Sequence, residues 1–157
     1  MLSAKEMKSM QFSTRLPVAV HILLCIAVFD GQNKTTSAFL AGSVGVNPVI
    51  VRNVLGKLKA AGIVHVDAGV GGAHLAKAPE DISLLDVFQA VEENAGTFHF
   101  HENPNPECPV GRNVHAVLDH QLSKVTAAMA EQMSQISLRS MLDETRERIQ
   151  SEGKATC

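Results

Sequence analysis

From Asn47 the chain reads NPVIVRNVLGKLKAAG as far as Gly62, and then IVHVDAGVGGAHLA as far as Ala76. Asn47 and Pro48 are the residue pair of a helix N-cap and first helical position, and Gly62 supplies a C-terminal stop. Between them Val51, Val54, Leu55 and Leu58 recur at spacings of three and four, which gives one apolar stripe. The opposite face carries Val49, Arg52, Asn53, Gly56 and Lys57. Ile63, Val64 and Val66 then begin a strand, Gly69-Val70-Gly71-Gly72 makes a tight turn, and Ala73 to Ala76 returns. The Gly-rich turn lacks the GxGxxG spacing and opens no helix, so it does not read as a phosphate-cradling loop.

Upstream, Thr35 and Thr36 offer N-caps for a short helix over Ser37 to Val44, which Gly45 ends, with Val46 in the turn. A short helix, a Gly-containing turn and a second helix with a basic and amide-bearing face are the pattern of a helix-turn-helix. A two-stranded hairpin directly after that second helix is the wing of a winged helix. Before it all lies an apolar run from Leu16 to Phe29, preceded by Lys5, Lys8 and Arg15. The run is too short for a membrane span, holds His21, and is followed by no small-x-small cleavage site. Bulky Leu23 and Leu24 before Cys25 disfavour a lipoprotein anchor. A buried helix starting near Ser13 or Thr14, with Pro17 in its first turn, is the expectation, in a cytoplasmic protein with no membrane partner.

Downstream, Pro79 breaks the chain, and Ser83 with Asp86 makes a capping box for a helix through about Glu93. Residues 95–111 read as a loop, rich in Gly and Pro. A helix follows from about Asn113 to Met133, with Val114, Val117, Leu118, Leu122, Val125, Met129 and Met133 in one stripe. At 1.5 Å per residue it is about 30 Å long, more than so small a domain needs for its own core. That length suits pairing with its copy in a second subunit. Ser137 caps a last helix over Leu138 to Ile149. The expected organisation is an N-terminal extension (1–10), a winged helix-turn-helix domain (11–94), a sensing loop (95–111), dimerisation helices (112–150) and a disordered tail (151–157).

The chain has 157 residues, 45% of them apolar and 19% charged, which excludes a disordered chain and allows a real core. Three Cys, at 25, 108 and 157, make neither a disulfide framework nor a CxxC zinc site, which points to a reducing compartment. The formal net charge of −2 hides a polarity. Residues 1–78 carry eight Lys and Arg against three Asp and Glu, whereas residues 79–157 carry six against thirteen. A basic half beside an acidic half suits one half meeting an anion. No Ser-His-Asp arrangement, paired carboxylates or metal motif is present, so no enzyme is expected.

Several ordered pieces together resemble the bacterial Rrf2 family, that of IscR, NsrR and CymR, over about residues 11–142. They are Gln11-Phe12-Ser13-Thr14, Val46-Asn47-Pro48, Leu58-Lys59-Ala60-Ala61-Gly62-Ile63-Val64, Gly71-Gly72 with Leu75-Ala76, and Ile82-Ser83-Leu84-Leu85-Asp86-Val87-Phe88. The resemblance implies a mainly α fold with a small β-hairpin wing, in a homodimeric transcription factor, usually a repressor, that dimerises through the long helix. The departures are specific. Ala68 stands where the family often has an Arg before the wing glycines, and Ala73-His74 where a Tyr often follows them. Arg52 replaces a common Glu of the recognition helix; Glu accepts from cytosine, whereas Arg reads guanine or phosphate, so the operator should differ. Cluster-binding members carry three Cys before the long helix, and this chain has Cys108 there, so a cluster-free branch is implied.

The residues expected at double-stranded DNA are Asn47, Val49, Ile50, Arg52, Asn53 and Lys57 on the recognition helix, and Gly71, Gly72 and His74 at the wing. Lys34, Thr36 and Ser37 are placed at phosphate on the preceding helix N-terminus. Cys108, a loop thiol before a helix N-terminus, is the sensor candidate for redox or electrophile signals, the effector being unknown; Glu102 and Glu107 nearby oppose a lowered pKa. Cys25 reads as inert core. No cofactor is expected; a zinc site from His99, His101 and Cys108, with His115 available, is the alternative the loop would permit. The rival function is a helical protein-interaction module with a degenerate winged domain that does not bind DNA.

Overall fold

The computed structural model describes residues 13–69, 71–92, 98 and 100–153. The N-terminal extension expected over 1–10, His99, and the tail beyond Gly153 lie outside the described residues. Helix α1, Arg15–Phe29, is apolar on most sides and buries Ala19, Ile22, Leu23, Cys25, Ile26 and Phe29. It is the hub of the core: helices from both ends of the chain and one strand pack on it, which is why a helix all but devoid of charge is stable here. Among the described residues no single helix is long and apolar enough to cross a membrane.

Helix α2, Ser37–Val44, begins where Thr36 Oγ1 accepts the Phe39 N–H at 3.2 Å, and ends at Gly45 with φ +75°. Helix α3, Pro48–Ala60, begins where Asn47 Oδ1 accepts the Val49 N–H at 2.9 Å. The chain bends by 110° between them, within the range of a helix-turn-helix. The stripe Val51, Val54, Leu55 and Leu58 is buried as its spacing predicts.

Strands β1, Val64–Val66, and β2, Ala73–Leu75, form an antiparallel hairpin in which Val64 faces Leu75, His65 faces His74 and Val66 faces Ala73. Thr35 ties this hairpin to the helices. Its backbone carbonyl accepts the Ala73 N–H at 3.1 Å, and its buried hydroxyl donates to the Ala73 carbonyl at 2.6 Å. Sequence offers Thr35 as an alternative cap for α2; Thr36 alone does that work. Gly72, at φ +94°, lets the hairpin approach, since a Cβ there would stand 3.1 Å from the Thr35 nitrogen.

A 3₁₀ turn over Pro79–Asp81 leads to helix α4, Leu84–Val91, whose capping box between Ser83 and Asp86 is complete in both directions. Helix α5, Pro109–Gln135, starts a turn earlier than the expected boundary near residue 112. Pro109 and Gly111 suggest a loop, yet proline is well suited to the first helical position, where its missing N–H has no partner to lose. Helix α6, Leu138–Glu152, runs on through Ser151 and Glu152 to a cap at Gly153, so these three residues of the expected tail are ordered structure. Grouped by sequence with the dimerisation arm, α6 instead packs on α1, with Leu138 and Leu142 fully buried. Where α4 and α6 begin, two segments of the chain bridge: Leu84 N–H donates to the Ile136 carbonyl at 2.8 Å and Leu138 N–H to the Ile82 carbonyl at 2.7 Å.

Candidate nucleic-acid interface

With one stripe of α3 locked in the core, the other faces outward. Val49 and Ile50 at its start are 57% and 47% exposed, an apolar pair no core residue covers. Arg52 and Asn53 beside them are exposed, and Arg52 makes no ion pair with any described residue. Asn47 spends its carbonyl oxygen on the cap and keeps its amide donors. Lys34 is exposed, and Thr36 and Ser37 are half-buried at the start of α2. These groups share the outward side of one helix-turn-helix, with donors for phosphate and methyl-sized apolar surface for a thymine.

Four of the expected contact residues have other work. The Lys57 ammonium turns back and donates to the Val91 carbonyl at 3.3 Å, at the C-terminal end of α4. Gly72 is buried against Thr35, and a Cβ at Gly71 would run into the Asp67 side chain. His74 lies between carboxylates, with Nε2 3.2 Å from Asp67 Oδ2 and Nδ1 3.5 Å from Asp30 Oδ1. None of these arrangements presents the group freely to a phosphate.

Cys108 is the N-cap of α5 and is exposed. The backbone N–H groups of Gly111 and then Val110 hold its pKa below the ordinary thiol value, although the sulfur makes no full capping hydrogen bond. The amides of the first turn, rather than Glu102 or Glu107, decide the direction. A Cβ at Gly111 would collide with the Asn105 carbonyl, so glycine is what lets the loop close over the start of α5. Cys25 is buried, as an inert core residue should be, with Sγ 3.2 Å from Ser43 Oγ, which also lies 3.0 Å from His21 Nε2.

His101 and His115 meet edge to face, and His115 Nε2 is taken up by the His101 carbonyl at 3.0 Å, with Phe100 stacked on the His115 ring. His99 lies outside the described residues. The remaining residues of the zinc alternative, His101, Cys108 and His115, are not gathered as ligands, because the nearest ring nitrogen is turned to backbone. Among the described residues the group with metal-ligand spacing is elsewhere: His65, Asp67 and His74, on the hairpin. The sequence does not single these three residues out as a ligand set. The signal is a histidine on β1, an aspartate two residues on, just past the strand's end, and a histidine on the return strand, but it needs the register of the hairpin to be seen.

Along α5 no residue is buried within the chain. Val117 and Val125 are 59% and 52% exposed, and Val114, Leu118, Leu122, Met129 and Met133 are half-covered.

A helix-turn-helix with a hairpin wing behind its second helix, followed by a long apolar-striped helix, defines a winged helix-turn-helix DNA-binding fold. Residues 12–144 match the Rrf2 family, described as an iron-dependent transcriptional regulator, and the chain belongs to that family. It is 44% identical over 131 residues to YwnA of Bacillus subtilis, by name a candidate HTH-type transcriptional regulator, covering 83% of this chain and 96% of that protein. A crystal structure described as a candidate DNA-binding protein is 40% identical and superposes with a TM-score of 0.66, covering 82% of this chain and 98% of that one. IscR of T. potens, 22% identical, shares the fold with a TM-score of 0.67 over 90% of this chain and 93% of its own. The protein is therefore a transcriptional regulator of the Rrf2 family. Family and relative are described as regulators rather than enzymes.

The family description names iron. An iron–sulfur cluster takes about four ligands, mostly thiolates. Here Cys25 is buried in α1, Cys108 is the single thiol of the loop before α5, and Cys157 ends the chain. That donor set does not fit such a cluster.

Proposed function

We propose that the protein is a homodimeric, sequence-specific DNA-binding repressor that sets two copies of α3 in successive major grooves of a palindromic operator. The observation that carries this reading is the outward face of α3: Val49, Ile50, Arg52 and Asn53 stand exposed while the opposite stripe is buried. In it Arg52 pairs with guanine or phosphate, Val49 and Ile50 meet thymine methyls, and Asn47, Lys34, Thr36 and Ser37 hold backbone. The stripe of α5, uncovered within one chain, is the surface for its copy in the second subunit. Cys108 serves as a thiol sensor whose modification releases DNA, in line with its lowered pKa and exposure. The protein-interaction reading is favoured by one feature, the bare Val49–Ile50 pair, which would suit a protein partner equally well.

Selection from a random duplex pool with the purified protein, followed by salt titration with and without diamide, tests the proposal. A palindromic consensus with a steep fall of affinity in salt is expected, since each neutralised phosphate adds about 0.9 to the log–log slope. Diamide should release the DNA from the parent protein and not from Cys108→Ser. No enriched sequence and no salt dependence would overturn DNA recognition in favour of a protein partner.

A further inference from the structure

His65 and His74 are directly opposed across the hairpin, and Asp67 follows His65 by two residues, so the pleat puts all three side chains on one face. The rings stack at 5.2 Å between centroids with 24° between planes. His74 Nε2 stands 3.2 Å from Asp67 Oδ2, and His65 Nε2 stands 4.0 Å from Asp67 Oδ1. One ligand atom from each of the three residues lies within 4.8 Å of the others. Bonds of about 2.0–2.1 Å to a tetrahedral ion put neighbouring ligand atoms about 3.3 Å apart. The observed separations straddle that distance, so an ion needs only side-chain adjustment.

A second observation comes from another element. Asp30, the residue that ends α1, lies 3.5 Å from the other nitrogen of His74, Nδ1. A carboxylate on the far nitrogen of a ligating histidine accepts its N–H, fixes the tautomer and turns Nε2 toward the ion, which is the usual outer shell of such sites. Asp67 is itself held: its N–H donates to the Gly72 carbonyl at 2.9 Å, and Gly71 packs against its side chain. The three residues line a cleft of about 500 Å³ that Lys77 and Arg146 also line, open enough for an ion to enter and for water to complete its shell.

We propose that the wing carries a divalent transition-metal site made by His65, Asp67 and His74, with Asp30 as the positioning residue behind His74. Two imidazole nitrogens and one carboxylate oxygen select first-row ions such as Zn²⁺, Co²⁺ or Fe²⁺ over Mg²⁺ and Ca²⁺. Three protein ligands leave at least one position for water or an anion. The ion ties β1 to β2 and, through Asp30, the hairpin to the end of α1. Resting on the DNA-binding reading, it also offsets the negative charge of Asp67 and Asp30 beside the wing, which lessens the repulsion of phosphate.

Titration of the untagged, chelator-treated protein with CoCl₂, read by visible d–d absorption and then displaced by ZnSO₄, tests the site without any DNA. One saturable Co²⁺ per chain is expected. His65→Ala and Asp67→Ala should each abolish the band with the circular-dichroism spectrum unchanged, since both residues are exposed. Asp30→Asn should keep the stoichiometry and weaken binding about 10–100-fold. Cys108→Ser and His101→Ala should leave the titration as it is. Saturation only at millimolar Co²⁺, or a band that survives His65→Ala and is lost in Cys108→Ser, would overturn the assignment. Loss of operator binding with the cobalt titration intact would instead count against the DNA reading alone.

Discussion

The Thr35 hydroxyl is buried and donates to a carbonyl 38 residues away, which ties the start of α2 to the wing. Thr35→Val keeps the shape and removes the donor, so it should cost about 1–3 kcal/mol, read as a shift in the urea midpoint at constant slope. Thr35 and Thr36 are alike in sequence. The cap at Thr36 was legible because capping is local, whereas the partner of Thr35 is fixed only by the tertiary fold. Arg52 belongs to the same scale. Arg52→Ala should lower affinity for the selected operator by about 1–3 kcal/mol and for random DNA by much less, measured by fluorescence anisotropy on both duplexes. Equal losses would mean that Arg52 holds phosphate only. At Asp86 the Ser83 hydroxyl and then its amide hold the carboxyl below the usual aspartate range. The folded pKa lies under the unfolded one, so the contribution is whole above the unfolded value and is lost as pH falls through the folded value. Asp86→Ala should therefore cost about 1 kcal/mol or less at neutral pH, the residue being exposed, and the gap in thermal midpoint should close in acid.

Among the elements, α5 shows both what sequence carries and what it leaves out. Its stripe was legible from spacing, and the structure leaves every residue of that stripe short of burial within the chain. Val117→Glu with Val125→Glu should accordingly halve the mass seen by sedimentation while leaving the helical spectrum and thermal midpoint of the protomer close to the parent. Loss of fold along with mass would show that the stripe serves the protomer. The start of α5 was misjudged because Gly111 is a poor helix former on its own account. What makes it the right residue is the Asn105 carbonyl pressed against it, a contact absent from any local rule. The hairpin was legible in place and turn, yet its three metal-ligand residues were not. A strand pattern assigns faces, but only the pairing of His65 with His74 brings the two rings together.

For the whole molecule, α6, which the sequence groups with the dimerisation arm, also closes over α1 and so belongs to the core of the protomer. Leu138 is fully buried there, and Leu138→Ala should cost about 2–5 kcal/mol in chemical denaturation, as a core position does. An arm-only role for α6 would predict almost no change. The repeated Ile-Ser-Leu at 82–84 and 136–138 marks the place where the chain returns, and its meaning shows only once the two segments lie side by side. That strap has a mechanical consequence. It pins the C-terminal end of α5 to the start of α4, while Cys108 sits at the opposite tip of a rod about 40 Å long at 1.5 Å per residue. The rod is a lever with its fulcrum at Ser83 and Ser137. A tilt of about 5° there sweeps the tip through about 3.5 Å over that length. Run in reverse, a small push at the thiol end would reach the short side of the fulcrum with its travel reduced and its force multiplied. Beyond the fulcrum lies α4, whose last residue, Val91, accepts the Lys57 ammonium of α3 at its carbonyl.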